Sequence, residues 1–433
     1  NLAKVCTMLH SGRRQWRSGI NPPLEESCTG AVVHTVMADP SSASDDTGEP
    51  VAASGEEVLE PAPFGETRPY SRLFLALVVV AMLGSVVMMR IYLPYAREGS
   101  RDLLEEGIVL EEVATGLGSP SCLHWHGSDW LLVCDREGRL LALEMDESGD
   151  FAAPVELLTG LDRPHGTLTW TDPGNGSERL FVTEAGKLTA WNLEDDTDPG
   201  SWILGVGDVL VSGVPSGNHQ TNAVMAGING SLLWHSGSTC NVCSEEDVRN
   251  AALLEVDPWT GEHSVVASGV RNSYDGTWMD GVGYLFTDNG RDWDGDDYPQ
   301  EELNLWVAGA AYGWPDDSPD NPSPEGTLGP VATFTPHSSI NGIDARPDSS
   351  SLPGGNRTVY VTVFGSWNTL IPTGEQLIRI DLVEDSNTSQ GWRGVVTVVI
   401  DDLPTVLPVR FHPDGDLYFC QYSQGNLLRL SSG

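Results

Sequence analysis

One imidazole, His219, sits in the polar turn SGNHQTN (Ser216–Asn222). Its ordinary pKa lies near neutrality, so it suits the work of taking a proton from a hydroxyl. Further along, GVRNSYDGTW (Gly269–Trp278) sets Arg271 beside Asn272. A guanidinium there can stabilise negative charge that develops on a carbonyl oxygen, or it can simply satisfy loop carbonyls. The segment TDNGRDWDGDD (Thr287–Asp297) is rich in carboxylates. Calcium takes carboxylate and carbonyl oxygens, so this run reads as a cation site, as a separate structural calcium loop at Asp294–Asp297, or as a solvated acidic loop. Cys240 and Cys243 form C-x-x-C, the spacing of zinc and thiol-redox sites, but no second pair or His-x-x-His completes a zinc set. His165 in RPHG and His337 in TPHSS occupy similar turns.

Four pieces in order, GSTCNVC (Gly237–Cys243), GVRNSYDGTW, TDNGRDWDGDD and EELNLWVAGAAYGWP (Glu301–Pro315), resemble the glucose/sorbosone dehydrogenase family. Its members are six-bladed β-propellers that oxidise sugars with pyrroloquinoline quinone (PQQ) and calcium. The resemblance covers about residues 105–433. It implies that His219 is the general base and that Arg271 and Asn272 contact the quinone carbonyls. It also implies that the Gly290 and Arg291 carbonyls bind calcium, with Glu301, Glu302 and Asn304 bracing that loop. By the same likeness Cys240 and Cys243 form a local structural disulfide, and His165 and His337 contact substrate. GSWN, with Trp367 and Asn368, extends the match, but Thr369 follows where relatives carry a basic residue. Asn218 stands where the family has the Asp that orients the base. Pro404–Leu407 lacks the arginines that hold the cofactor's carboxylates in relatives, which leaves Arg410, Arg163, Arg271 and Arg291 as substitutes. A sugar dehydrogenase with an unidentified electron acceptor is the first expectation. A catalytically inactive propeller ectodomain that binds a protein or glycan is the second.

The elements that would position these residues repeat. Openings at Ala114–Pro120, Leu158–Gly166, Val211–Gln220, Ala267–Gly276, Phe334–Ile343 and Asp401–Val409 each precede a pair of apolar strands. Six units spaced by about 55 residues predict an all-β six-bladed propeller. The strand Ile108–Val113 is expected to complete the last blade and close the ring. Cys134 and Cys420 occupy equivalent places in the first and last repeats, with Cys122 near, so a ring-closing disulfide is one of the pairings open.

The run Leu73–Met89 carries no charge and is long enough for a bilayer helix. The expected organisation is a disordered tail over residues 1–71, a transmembrane signal-anchor at 72–94, a stalk at 95–106 and the propeller at 107–433. Sequons at Asn175, Asn229, Asn356 and Asn387, and five of the seven cysteines, lie after the anchor. They favour a single-pass type II topology with the propeller extracellular or lumenal. The formal net charge is −39, of which −35 falls after residue 72, and the only lysines are Lys4 and Lys187. Such a surface repels nucleic acid and excludes it as a partner.

Overall fold

The computed structural model describes residues 69–193, 198–369 and 371–433. Of the tail expected over residues 1–71, residues 1–68, with Cys6 and Cys28, lie outside the described residues, and residues 69–71 open a helix instead. Six sheets follow one another as blades, antiparallel except where Ala310–Ala311 adds a short parallel edge to the third. In blade 1, for example, the strands are Pro120–His126, Trp130–Asp135, Arg139–Glu144 and Val155–Thr159. The second strand, WLLVCD, is buried along its whole length because each blade is covered on both faces by its neighbours. Blades 4 and 5 share one such interface, in which Leu285 and Leu303 pack with Ile343, Val361 and Ile380. The innermost strands start at Pro120, Gly166, Thr221, Ser273, Ile340 and Val406. They converge on the axis and leave no room for side chains at some crossings: a Cβ on Gly342 would lie 2.5 Å from the Leu407 carbonyl oxygen.

The ring closes by hydrogen bonding, as expected. Ile108–Ala114 pairs antiparallel with the last strand, Asn426–Ser432, so that Leu110 faces Leu430. No disulfide spans the junction. Cys122 pairs with Cys134, its register partner across two adjacent strands of blade 1, and Cys420 is a buried free thiol. Equivalence explains why Cys134 and Cys420 do not pair. Cys134 and Cys420 point the same way from neighbouring blades, and Cys420 packs with Leu131, Val133 and Leu427 between them.

The six blades carry loops of unequal length at one end. There, the loops between second and third strands are short in blades 1, 2 and 6 but long in blades 3, 4 and 5, at residues 237–251, 289–300 and 364–375. This is the end at which the innermost strands begin, and His219, Arg271, Asn272, Gly290 and Arg291 lie on it.

Upstream, a helix (α1) runs over Pro69–Ala96. Its segment Arg72–Met89 is long and apolar enough to cross a membrane, and none of it is buried in the protein. The expected stalk is docked rather than free: Asp102–Leu103 pairs with Trp392–Asp401 as an extra edge strand of blade 5.

Candidate active site

At the loop-rich end the six blades surround a recess of about 290 Å³ on the propeller axis. His219 lies at its wall, on the turn before the first strand of blade 3, where its backbone N–H bonds the Ser238 carbonyl. Its Nδ1 lies 2.8 Å from Ser238 Oγ. The Ser238 hydroxyl has one proton, and it donates this to the Cys240 carbonyl at 2.7 Å. Ser238 Oγ must therefore accept from His219 Nδ1–H, which leaves the Nε2 lone pair free. Burial, and then the Arg271 charge, lower the pKa of His219 to about 3, so the ring is neutral at physiological pH. The Cys240–Cys243 disulfide, as the family likeness implied, closes the loop whose carbonyl sets this tautomer. Asn218 is exposed and plays no such part. Ser238 is the orienting residue that the sequence reading missed, although it stands inside GSTCNVC.

A second chain of bonds crosses the recess. The Arg136 guanidinium donates to His165 Nε2, and His165 Nδ1–H donates to Asn222 Oδ1 at 2.9 Å. Asn222 Nδ2 in turn donates to Asn272 Oδ1 at 3.1 Å. With its oxygen so occupied, Asn272 keeps its own amide N–H groups available. Burial and the Arg136 charge lower the pKa of His165 to about 3 and keep it neutral, as an acceptor for Arg136 requires. Arg136 meets no carboxylate among the described residues, whereas Arg163 at the same mouth pairs with the exposed Asp162. Arg136 and Asn222 were not singled out in the sequence, because each acts through residues of other blades.

Arg271, Gly290 and Arg291 line a different, adjoining cavity of about 360 Å³. Arg271 bonds the Asn241 carbonyl and side chain, the Asn289 carbonyl and Asp292. Four of its five N–H donors are thus committed. Asp288 links the two cavities, for its carboxylate accepts the backbone N–H groups of Arg271 and Asn272 at 3.0 and 2.7 Å. Glu301 holds the Gly290 and Ser339 N–H groups, and Glu302 bonds Asn304. Burial raises the pKa of Asp288 and Glu301 to about 7 and that of Glu302 to about 8. Buried oxygens of Asn289 and Asp317 on this lining lack a donor. A cavity with surplus carboxylates and unmet acceptors fits a hard cation such as calcium.

The remaining expected residues lie elsewhere. His337 bonds the Gly295 carbonyl at 2.7 Å, so its ring pins the blade 4 loop and lines neither cavity. Arg410, expected to hold an anionic cofactor, lies below the recess with its guanidinium bound to both oxygens of Asp275, at 2.6 and 2.8 Å. Its charge is already matched, and this corrects the expectation.

The shifted carboxyls make a prediction about stability. Between about pH 4 and 8 the folded protein retains protons on Asp288, Glu301 and Glu302 that the unfolded chain releases. Stability therefore falls as pH rises, and a cation that replaces those protons restores it. Calcium at a hundredfold excess over its Kd is worth about 2.7 kcal/mol, so it is expected to raise Tm by about 5 °C at pH 8 and by much less at pH 5. Thermal melts of chelated and calcium-loaded protein at the two pH values measure this. Equal shifts at both would place the cation away from these carboxyls.

No family model matches the chain. It is 36% identical to rat telomerase protein component 1 over 70 residues, which are 16% of this chain and 3% of that protein. The chain therefore spans only a small fraction of that curated relative's length. Solved structures are similar over most of the chain. The holo PQQ domain of pyranose dehydrogenase from Coprinopsis cinerea gives a TM-score of 0.63 at 16% identity, covering 77% of this chain and 98% of that one. A calcium structure of a Trichoderma reesei enzyme of carbohydrate-active family AA12 gives 0.62 at 17%, with the same coverage. PQQ-bound aldose sugar dehydrogenase from Streptomyces coelicolor gives 0.56 at 20%, again covering 77% and 98%. At these identities the likeness establishes the propeller fold.

Proposed function

We propose that this propeller is a PQQ- and calcium-dependent dehydrogenase that oxidises the hydroxyl of an aldose or related sugar. The observation that carries the reading is the free Nε2 of His219, fixed in its tautomer beside Asn272 in an axial recess. Solved relatives with this fold bind PQQ or calcium, which supports the same assignment here.

The residues present fit the cofactor. Arg136 and Arg163 supply positive charge at the mouth, and the Asn272 amide supplies donors, while Arg271 faces the adjoining cavity. The carbonyls of Gly290 and Arg291, with the neighbouring carboxylates, would hold calcium. When bound, PQQ supplies a carbonyl-rich ring that accepts hydride. His219 Nε2 takes the sugar hydroxyl proton, while Ser238 and the Cys240 carbonyl keep the ring from turning. His165, held by Arg136, keeps Asn222 and hence Asn272 in place, and its placement at the recess leaves a substrate contact open to it. The α1 segment anchors the chain in a membrane, with the propeller extracellular or lumenal. All four sequon asparagines are exposed, as that location requires.

The matched charge of Arg410 favours a second reading, a propeller that binds a glycan or protein without chemistry. A dye-coupled assay of the PQQ- and calcium-loaded chain against a panel of aldoses tests the first. Calcium-dependent turnover of at least one sugar is expected. No turnover with a fully loaded protein would leave the second.

A further inference from the structure

The stalk that leaves α1 is fastened to the same end of the propeller as the recess. Arg97, the first residue after the helix, pairs with Glu375 and with Asp402. Ser100 bonds Asp402 through its backbone N–H and its hydroxyl, at 2.6 and 2.7 Å. The Glu98 carbonyl accepts from Gln421 at 3.0 Å. Strand register gives the direction: Asp102 faces Asp401 and Leu103 faces Ile400, so the chain descends blade 5 from its loop end. Everything before Asp102, α1 included, must therefore approach from the side on which the recess opens.

The distances are short. Arg97 lies about 12 Å along a helix from Met89, the last residue of the apolar segment. The headgroup layer on each side of a bilayer accounts for about 5–7 Å of that. Glu375, which holds Arg97, closes the base of the loop at residues 364–375. The same loop exposes Trp367 at 54% and Ile371 at 76%, and Trp293 of the blade 4 loop, 70% exposed, lies against Trp367 with ring centroids 5.2 Å apart. Large apolar side chains so exposed, on loops that water would otherwise cover, suit the interfacial layer, where tryptophan is enriched. Of the carboxylates beside Trp293, Asp292 pairs with Arg271 and Asp294 with Arg291.

We propose that the rim formed by Trp293, Trp367 and Ile371 rests on the surface of the bilayer that α1 crosses, so that the recess opens toward lipid. The occupant of this surface is a zwitterionic lipid layer; the negative charge of the propeller disfavours an anionic one. The inference rests on the reading of α1 as a membrane anchor. It goes beyond the proposed chemistry, because whatever enters the recess must pass along the membrane surface.

The test uses the full chain in phosphatidylcholine vesicles, with Cys6 and Cys28 replaced by serine and a fluorescent thiol label at Ile371→Cys or, on the far end of blade 1, Ser128→Cys. Lipids carrying a nitroxide near the headgroup are the quencher. Quenching at least fivefold stronger at position 371 than at 128 is expected, and Glu375→Ala with Asp402→Ala should reduce it by freeing the stalk. Equal, weak quenching at both positions in protein that resists carbonate extraction would overturn the rim contact alone. Extraction by carbonate would overturn the anchor and the inference with it.

Discussion

Replacing His219 by alanine is expected to lower sugar oxidation by about 10²–10⁴-fold, the usual contribution of a positioned general base. The prediction depends on the bond order in the wall of the recess. Ser238 spends its only proton on the Cys240 carbonyl, so it can only accept from His219 Nδ1, and Nε2 is left as the basic atom. Ser238→Ala is expected to cost less than His219→Ala, because the imidazole remains but can turn. Burial and the Arg271 charge disfavour the protonated ring, so the base stays neutral from pH 8 down to about pH 4. The profile of kcat/KM should therefore show no loss on this account between pH 8 and 5, where an unshifted histidine would titrate. Unchanged turnover in His219→Ala would remove it from the chemistry.

Asp275→Ala is expected to destabilise the propeller by about 3–5 kcal/mol, because it leaves the Arg410 charge buried without its partner. Burial alone would disfavour that charge, and the Asp275 carboxylate outweighs it. The pair also ties three blades together across the axis: Asp275 belongs to blade 4 and Arg410 to blade 6, and Asp275 Oδ2 accepts the N–H of Ile343 in blade 5. Replacing both partners, Asp275→Leu with Arg410→Met, should recover most of the loss, since no lone charge remains. Denaturant unfolding of the single and double variants measures the difference. A single variant as stable as the wild type would mean that Arg410 is solvated and free to meet a ligand.

Features set by local pattern were legible in the sequence. The six openings and the strand that closes the ring each depend on a few neighbouring residues, whereas the Cys240–Cys243 disulfide is implied only by the family likeness. His219 stands out by its place in the turn that opens the third repeat and by the resemblance, which makes the matching histidine the base, and the structure puts it at the wall of the recess. What escaped was set across blades. Arg410 meets Asp275 and Arg136 meets His165 only when the ring is assembled, and no local spacing records it. The same holds for the partition of the motif residues. Arg271 and Asn272 are adjacent in the chain, yet they face different cavities because the backbone N–H groups of both turn toward Asp288. The pairing among Cys122, Cys134 and Cys420 stays open in the sequence for a related reason: matching positions in a repeat mean parallel side chains, not facing ones, and only the assembled register puts Cys122 opposite Cys134.

The central claim is that the recess takes PQQ with calcium beside it. A titration of PQQ into the purified full chain, followed by quinone absorbance with calcium present and then chelated, tests it most directly. The account predicts a saturable one-to-one complex that calcium strengthens and that Arg136→Ala weakens at least tenfold. A flat titration in the presence of calcium would contradict it and leave a propeller that binds some other partner through the same recess.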